Sequence, residues 1–122
     1  LQVMCVHLGL SESHRRHQLE RLCDTVQREV PADAPLIVAG DFNDWRSRAD
    51  ASLNPCGLTE VFRHHLGAHA RSFPAGLPLL RLDRIYVRGV AAATPLPLPL
   101  RPWSRLSDHA PLAAGIDLQE AP

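Results

Sequence analysis

The chain has 122 residues, 45% of them apolar and 21% charged, and its 13 basic and 13 acidic side chains cancel. That length holds one domain at most, and the composition argues against a disordered chain and against a membrane span. A neutral balance supplies no global field to draw in nucleic acid. Only a local basic surface is available, from His14-Arg15-Arg16-His17 and from Arg63, Arg71, Arg81, Arg84 and Arg88.

The first element is the run Leu1 to Val6, which reads as a strand that starts at residue one without a signal-peptide start. Such an edge exposes unpaired backbone, so the chain reads as cut into, with upstream sequence or a partner expected to cover it. His7 closes this strand. Ser11 is a helix N-cap, and Leu19, Leu22, Val26 and Val30 recur at helical spacing, predicting a helix over Glu12 to Val30 that stops at Pro31. Leu36-Ile37-Val38-Ala39 then reads as a buried strand, and Gly40 lets the chain turn out of it. Strand, helix and strand in this order predict a right-handed crossover, and two parallel strands would bring His7 and Asp41 out at one end of the sheet.

Trp45 to Gly57 reads as a loop or short helix, and Leu58 to Arg63 as a helical turn. Leu82 to Arg88, Val90 to Leu100 and Pro111 to Leu118 are three strands or edge segments. The prolines at 95, 97, 99 and 102 exclude a central strand there; an edge or loop is preferred to a Pro-rich docking ligand. No internal repeat is present. Cys5, Cys23 and Cys56 lack paired zinc-site spacing and are expected as reduced, mostly buried thiols, which points to a reducing, cytoplasmic setting.

Three compact polar sets stand at the ends of apolar runs: Gly40-Asp41-Phe42-Asn43, Leu82-Asp83-Arg84-Ile85 and Ser107-Asp108-His109. Phosphate-ester hydrolysis needs a positioned water, positive charge or a divalent ion against the phosphoryl oxygens, and donors for the transition state. Asp41 can hold water or metal while Asn43 donates to a phosphate oxygen; an Asx-turn after a strand is the alternative. Asp108 is too close in sequence to orient His109, so Asp83 is the expected partner, fixing the tautomer of the imidazole and raising its basicity. His7 joins the set if the first two strands are parallel neighbours. His14 and His17, and His64, His65 and His69, read as solvated groups rather than metal ligands. Trp45 and Trp103 read as core side chains before stacking groups, and Arg84 and Arg105 as phosphate contacts or partners of nearby acids.

The ordered set His7, Gly40-Asp41-Phe42-Asn43, Leu82-Asp83-Arg84-Ile85 and Ser107-Asp108-His109 resembles the carboxyl-terminal half of the endonuclease/exonuclease/phosphatase family, deoxyribonuclease-like metal-dependent phosphodiesterases. The likeness runs from Val3 to Leu118. It implies an α/β (α+β) fold that is half of a four-layer α/β/β/α sandwich, one mixed sheet with helices on one face, and a magnesium-dependent site in which manganese can substitute. By the same resemblance His109 acts as general base or phosphate-binding imidazolium, Asp83 orients it, and Asp41 positions water or a metal. Asn43 and His7 contact the phosphate, and Asp108 is a further metal ligand. Water attacks in line, without a covalent enzyme intermediate.

Family members usually span about twice this length, and their amino-terminal half supplies an Asn and a metal-binding Glu. Glu12, Glu20, Glu29 and Glu60 lie in the wrong order and context to replace that Glu. Residues 1–122 are therefore expected to form a single, amino-terminally truncated domain: a hydrolase by family, with the activity of this fragment open. The substrate class, nucleic acid, nucleotide or phospholipid headgroup, is not legible. The competing expectation is a noncatalytic remnant that assembles through its open sheet face, as a homo-oligomer or with the missing amino-terminal half.

Overall fold

The computed structural model describes residues 1–118. Strand β1 (Gln2–His7) is followed by helix α1 (Glu12–Glu29), entered through Ser11, whose hydroxyl accepts from the N–H of His14 at 3.1 Å. The helix leads into β2 (Leu36–Asp41), which lies parallel to β1, so the crossover expected from the order of the elements is present. A short helix α2 (Ala49–Leu53) runs on into a 3-10 turn (Asn54–Cys56). Next come β3 (Thr59–Glu60) and helix α3 (Val61–Leu66), which is capped by the carboxylate of Glu60 on the N–H groups of Phe62 and Arg63. Strand β4 (Asp83–Arg88) pairs antiparallel with both β2 and β3. The sheet order is β1-β2-β4-β3, mixed as expected, and a separate antiparallel ribbon joins β5 (Ala92–Leu96) to β6 (Ala113–Asp117), with the turn-like α4 (Leu100–Trp103) between them.

The two faces of the sheet have different fates because side chains alternate along each strand. Leu36 and Val38 of β2 and Tyr86 of β4 turn toward α1 and α2 and form the main core with Leu19, Val26, Phe42 and Leu53. On the opposite face Ile37, Ile85 and Val87 meet Val61 and Phe62 of α3 and Ala93, Ala114 and Ile116 of the ribbon. That cover stops short of β1, where Val3 is 59% exposed. Gly40 fits because the backbones of β1 and β2 come very close: a Cβ there would sit 2.0 Å from the carbonyl oxygen of Val6, and its φ is +146°. Among the described residues no helix is long and apolar enough to cross a membrane.

Several expectations need correction. Cys23 and Cys56 form a disulfide with a Cα separation of 5.8 Å, because α1 and the 3-10 turn pack on one core. Their 33-residue separation in sequence concealed that proximity, and the inference of a reducing compartment loses its basis. Cys5 is free but exposed, since it points to the uncovered face of β1. Trp45 is 55% exposed rather than in the core, because it stands in the loop that leaves β2. His69 is buried among acids rather than solvated, as the loop after α3 folds back over Asp50 and Glu60.

Candidate active site

The register of the sheet sets out the site. On the less covered face the strands align in rows: Val3 with Ile37 and Val87, Cys5 with Ala39 and Ile85, and His7 with Asp41 and Asp83. Two apolar rows thus end in a polar one at the carboxyl ends of β1 and β2. The loop ahead of β6 brings His109 onto this polar row. His109 Nδ1 lies 2.6 Å from Asp83 Oδ2, its Nε2 lies 3.8 Å from Asp41 Oδ2, and His7 Nε2 lies 3.5 Å from the same Asp41 oxygen.

Asp41 divides its two oxygens between structure and the cleft. Oδ1 accepts the backbone N–H of Asn43 at 2.8 Å, so the Asx-turn expected as an alternative does form, while Oδ2 is the oxygen facing the two histidines. Asn43 takes φ 48°, which this amide residue tolerates better than most, and it is nearly buried. Its Nδ2 donates to the carbonyl of Leu8 at 2.6 Å, bracing the ends of β1 and β2 and leaving one amide proton uncommitted to that bond.

Asp108 is exposed and lies outside the cluster formed by Asp41, Asp83 and His109, as its neighbour His109 takes the inward direction. Arg84 is fully buried under the row: it donates to Asp44 Oδ2 at 3.2 Å, the Asp44 carbonyl at 2.7 Å and the Arg81 carbonyl at 2.8 Å. It is therefore a partner of an acid and not a surface that phosphate can reach. Arg105 is exposed.

Burial opposes a charge on His109, but the hydrogen bond to Asp83 and the negative fields of Asp83, Asp41 and Asp108 outweigh it and raise the pKa above the ordinary imidazole value. With Nδ1–H donated to Asp83, Nε2 is the nitrogen left to exchange a proton with a substrate or water. A groove of about 400 Å³ opens beside it, lined by Ala39, Asp83, Ile85, Trp103, Leu106 and His109. A larger hollow of about 530 Å³ between α1 and α2 has Glu12, Arg15, Arg16 and Arg48 in its walls and none of the row residues.

One ligand atom each from Asp41, Asp83 and His109 lies within 4.8 Å of the others. Two carboxylates suit a hard divalent ion, which keeps several waters and needs only one or two protein oxygens. The imidazole suits it less well, and its Nδ1 is already committed to Asp83. The donor set thus fits a hard divalent ion through the two acids, with Asp41 Oδ2 the better placed because Asp83 Oδ2 accepts from His109.

Sequence reasoning did not single out Ser72 or Asp44, and it read His69 as solvated. The Phe73 ring lies 5.0 Å from the His109 imidazole, and Asp44 accepts from the N–H groups of Arg48 and Ala49 to fasten the loop behind Asn43. The Asp44 carboxylate follows directly on the Asp-Phe-Asn set, which was the one available signal. Ser72 and His69 sit in a segment without periodicity and gave none.

The model of the endonuclease/exonuclease/phosphatase family matches residues 3–109. The chain belongs to that family. An uncharacterized protein of Escherichia coli, YbhP, is 55% identical over 119 residues, which is 97% of this chain and 47% of that protein. The chain therefore spans about half the length of the curated relatives it matches. Among solved structures, a functionally unknown conserved protein from Enterococcus faecalis superposes with TM-score 0.71 at 22% identity, over 96% of this chain and 50% of that one. An AP endonuclease from Archaeoglobus fulgidus gives 0.69 at 20%, over 95% and 61%. D. rerio TDP2 complexed with single strand DNA product gives 0.62 at 26%, over 88% and 52%. The family's fold is the one described above, and membership makes a phosphoric-ester hydrolase the class of activity to which the chain is related.

Proposed function

We propose that this chain carries the general-base side of a divalent-metal-dependent phosphodiesterase site, with magnesium as the ion and a nucleic acid strand as the first substrate to test. The observation that carries the reading is the 2.6 Å contact of His109 Nδ1 with Asp83 Oδ2 beside a second acid, Asp41, at the mouth of a groove. Asp83 holds the imidazole in one tautomer, so Nε2 accepts the proton of a water aligned for in-line attack on phosphorus. Asp41 Oδ2 orients that water, and the exposed His7 and the remaining amide proton of Asn43 face phosphoryl oxygens. Asp41 and Asp83 would hold the ion, with Asp108 an outer candidate; when bound, the ion neutralises charge on the phosphoryl oxygens. The nucleic acid preference leans on the DNA complex and the AP endonuclease among the structural relatives. Nucleotides and phospholipid headgroups remain the other substrates for comparison.

The test is hydrolysis of bis(4-nitrophenyl) phosphate and of a single-stranded oligonucleotide with magnesium, manganese or chelator, beside His109→Ala. The expected result is metal-dependent turnover that falls by about 100-fold or more in the variant, the usual contribution of a general base. kcat/KM should rise with pH across the imidazole range as His109 loses its proton. A rate that is unchanged in His109→Ala, or that falls as pH rises through that range, sinks the general-base assignment. Val3 and Cys5 on the uncovered face favour a second reading, assembly through that face. A folded chain that is inactive with every substrate and self-associates would favour it.

A further inference from the structure

Asp83 and His109 are 26 residues apart and stand on parts of the fold that share no strand ladder. Asp83 begins β4, which pairs with β2 and β3, whereas His109 precedes β6, which among the described residues pairs with β5 alone. A 2.6 Å contact between two such side chains keeps its geometry only if something ties the two backbones together.

Ser72 makes that tie. It lies in the segment between α3 and β4 and has no exposed surface, an unusual place for a small hydroxyl residue in a connecting segment. Its Oγ accepts from the backbone N–H of Asp83 at 3.1 Å, and its carbonyl oxygen accepts from the backbone N–H of Ala110 at 2.6 Å. Three residues farther on, the N–H of Ala75 donates to the carbonyl of Asp108 at 2.7 Å. Phe73 lies between these bonds with its ring against His109, and the segment is closed on itself by a bridge between Phe73 and Leu80. The residues on both sides of His109 and the residue that orients it are thus held by one short stretch of chain.

We propose that Ser72 is a positioning residue, a strut whose hydroxyl fixes Asp83 and whose carbonyl fixes the His109 loop, so that the spacing of the pair is set from behind the site. The role rests on reading Asp83 and His109 as the general-base pair of a phosphodiesterase. Without the hydroxyl, the N–H of Asp83 loses its acceptor among the described residues, so the start of β4 shifts or admits water and the imidazole loses its fixed partner.

Amide exchange and the His109 Nδ1–H signal, read by NMR on isotope-labelled protein, test this without turnover. Ser72→Ala should speed exchange at Asp83 by about tenfold or more and abolish the Nδ1–H signal, while the core amide of Tyr86 exchanges as before. Ser72→Thr, which keeps the hydroxyl, should restore both. The proposal is overturned if Ser72→Ala changes neither readout, or if Tyr86 loses protection equally with Asp83, since that is a general loss of stability. If Ser72→Ala does not fold, the unaltered protein decides. Asp83 and Ala110 amides protected like that of Tyr86 support the strut, and amides exchanging like Gly76 in the exposed loop overturn it. Absence of hydrolysis with an intact strut would fail the phosphodiesterase reading alone; full hydrolysis by Ser72→Ala would fail the strut alone.

Discussion

Asp41 shows how one side chain serves local structure and chemistry at once. One oxygen closes the turn by accepting Asn43 N–H, and the other faces His7 and His109, so the Asx-turn and the site residue are the same group. Arg84 carries the opposite lesson. In sequence it stands beside Asp83 as a plausible phosphate contact, yet alternation along β4 sends it to the helix side, where its guanidinium is fully buried against Asp44. Replacing it by Met removes a buried charge partner of similar length and leaves the Asp44 carboxylate uncompensated. We expect Arg84→Met to cost about 3 kcal/mol in urea unfolding, the low end for a broken buried pair because Asp44 keeps two backbone N–H donors. A double variant that also carries Asp44→Asn should recover part of the loss; a single variant as stable as the parent would show that the pair contributes nothing net.

At the scale of elements, β1, β2 and the long helix were legible because each carried an apolar pattern and clear punctuation, whereas Leu58 to Arg63, read as a helical turn, holds the two-residue strand β3 ahead of α3. Ser11 caps α1, Pro31 ends its pattern, and the apolar run before Gly40 became β2 with His7 and Asp41 in one register row. The segment between α3 and β4 was not legible, since its structure comes from long-range polar bonds and not from periodicity. His69 is its anchor there: Nδ1 lies 2.9 Å from Glu60, Nε2 lies 3.0 Å from Asp50, and its carbonyl accepts from Arg81. Burial opposes protonation of His69, but hydrogen bonds to Asp50 and Glu60 prevail, so its pKa is raised from the ordinary 6.5. The folded state therefore binds this proton more tightly than the unfolded chain does. The resulting stability is complete below pH 6.5 and is lost as pH rises through the folded value. Asp50 has the opposite sign, its pKa being lowered from 3.8 by His69 and Tyr86 in spite of burial, so its contribution fades as pH falls through the folded value. Thermal melts from pH 6 to 9 should show a falling midpoint, and His69→Gln should be less stable at pH 6 with a flatter curve. An equal slope in both proteins would remove His69 as the cause.

The whole molecule is a sheet with one face packed against helices and the other only partly covered. The ribbon of β5 and β6 and helix α3 shield the β4 side of that second face, whereas the rows at β1 leave Val3 and Cys5 open. The site row closes those same apolar rows, so whatever covers the face also forms a wall of the site. The chain spans about half the length of its curated relatives, so the rest of such a relative is the first cover to test. Cys5 reports on it directly. With Cys23 and Cys56 joined, a thiol reagent added to the native protein should modify one sulfur per chain, and two more should appear only after unfolding and reduction. Three reactive sulfurs without reductant would contradict the disulfide, and none in the native state would mean that the face is already covered. Adding the remaining portion of a relative such as YbhP should slow Cys5 modification by about tenfold or more if that portion packs on the face, because a thiol under a packed sheet is reached only through local opening. An unchanged rate would place the partner surface elsewhere on the molecule.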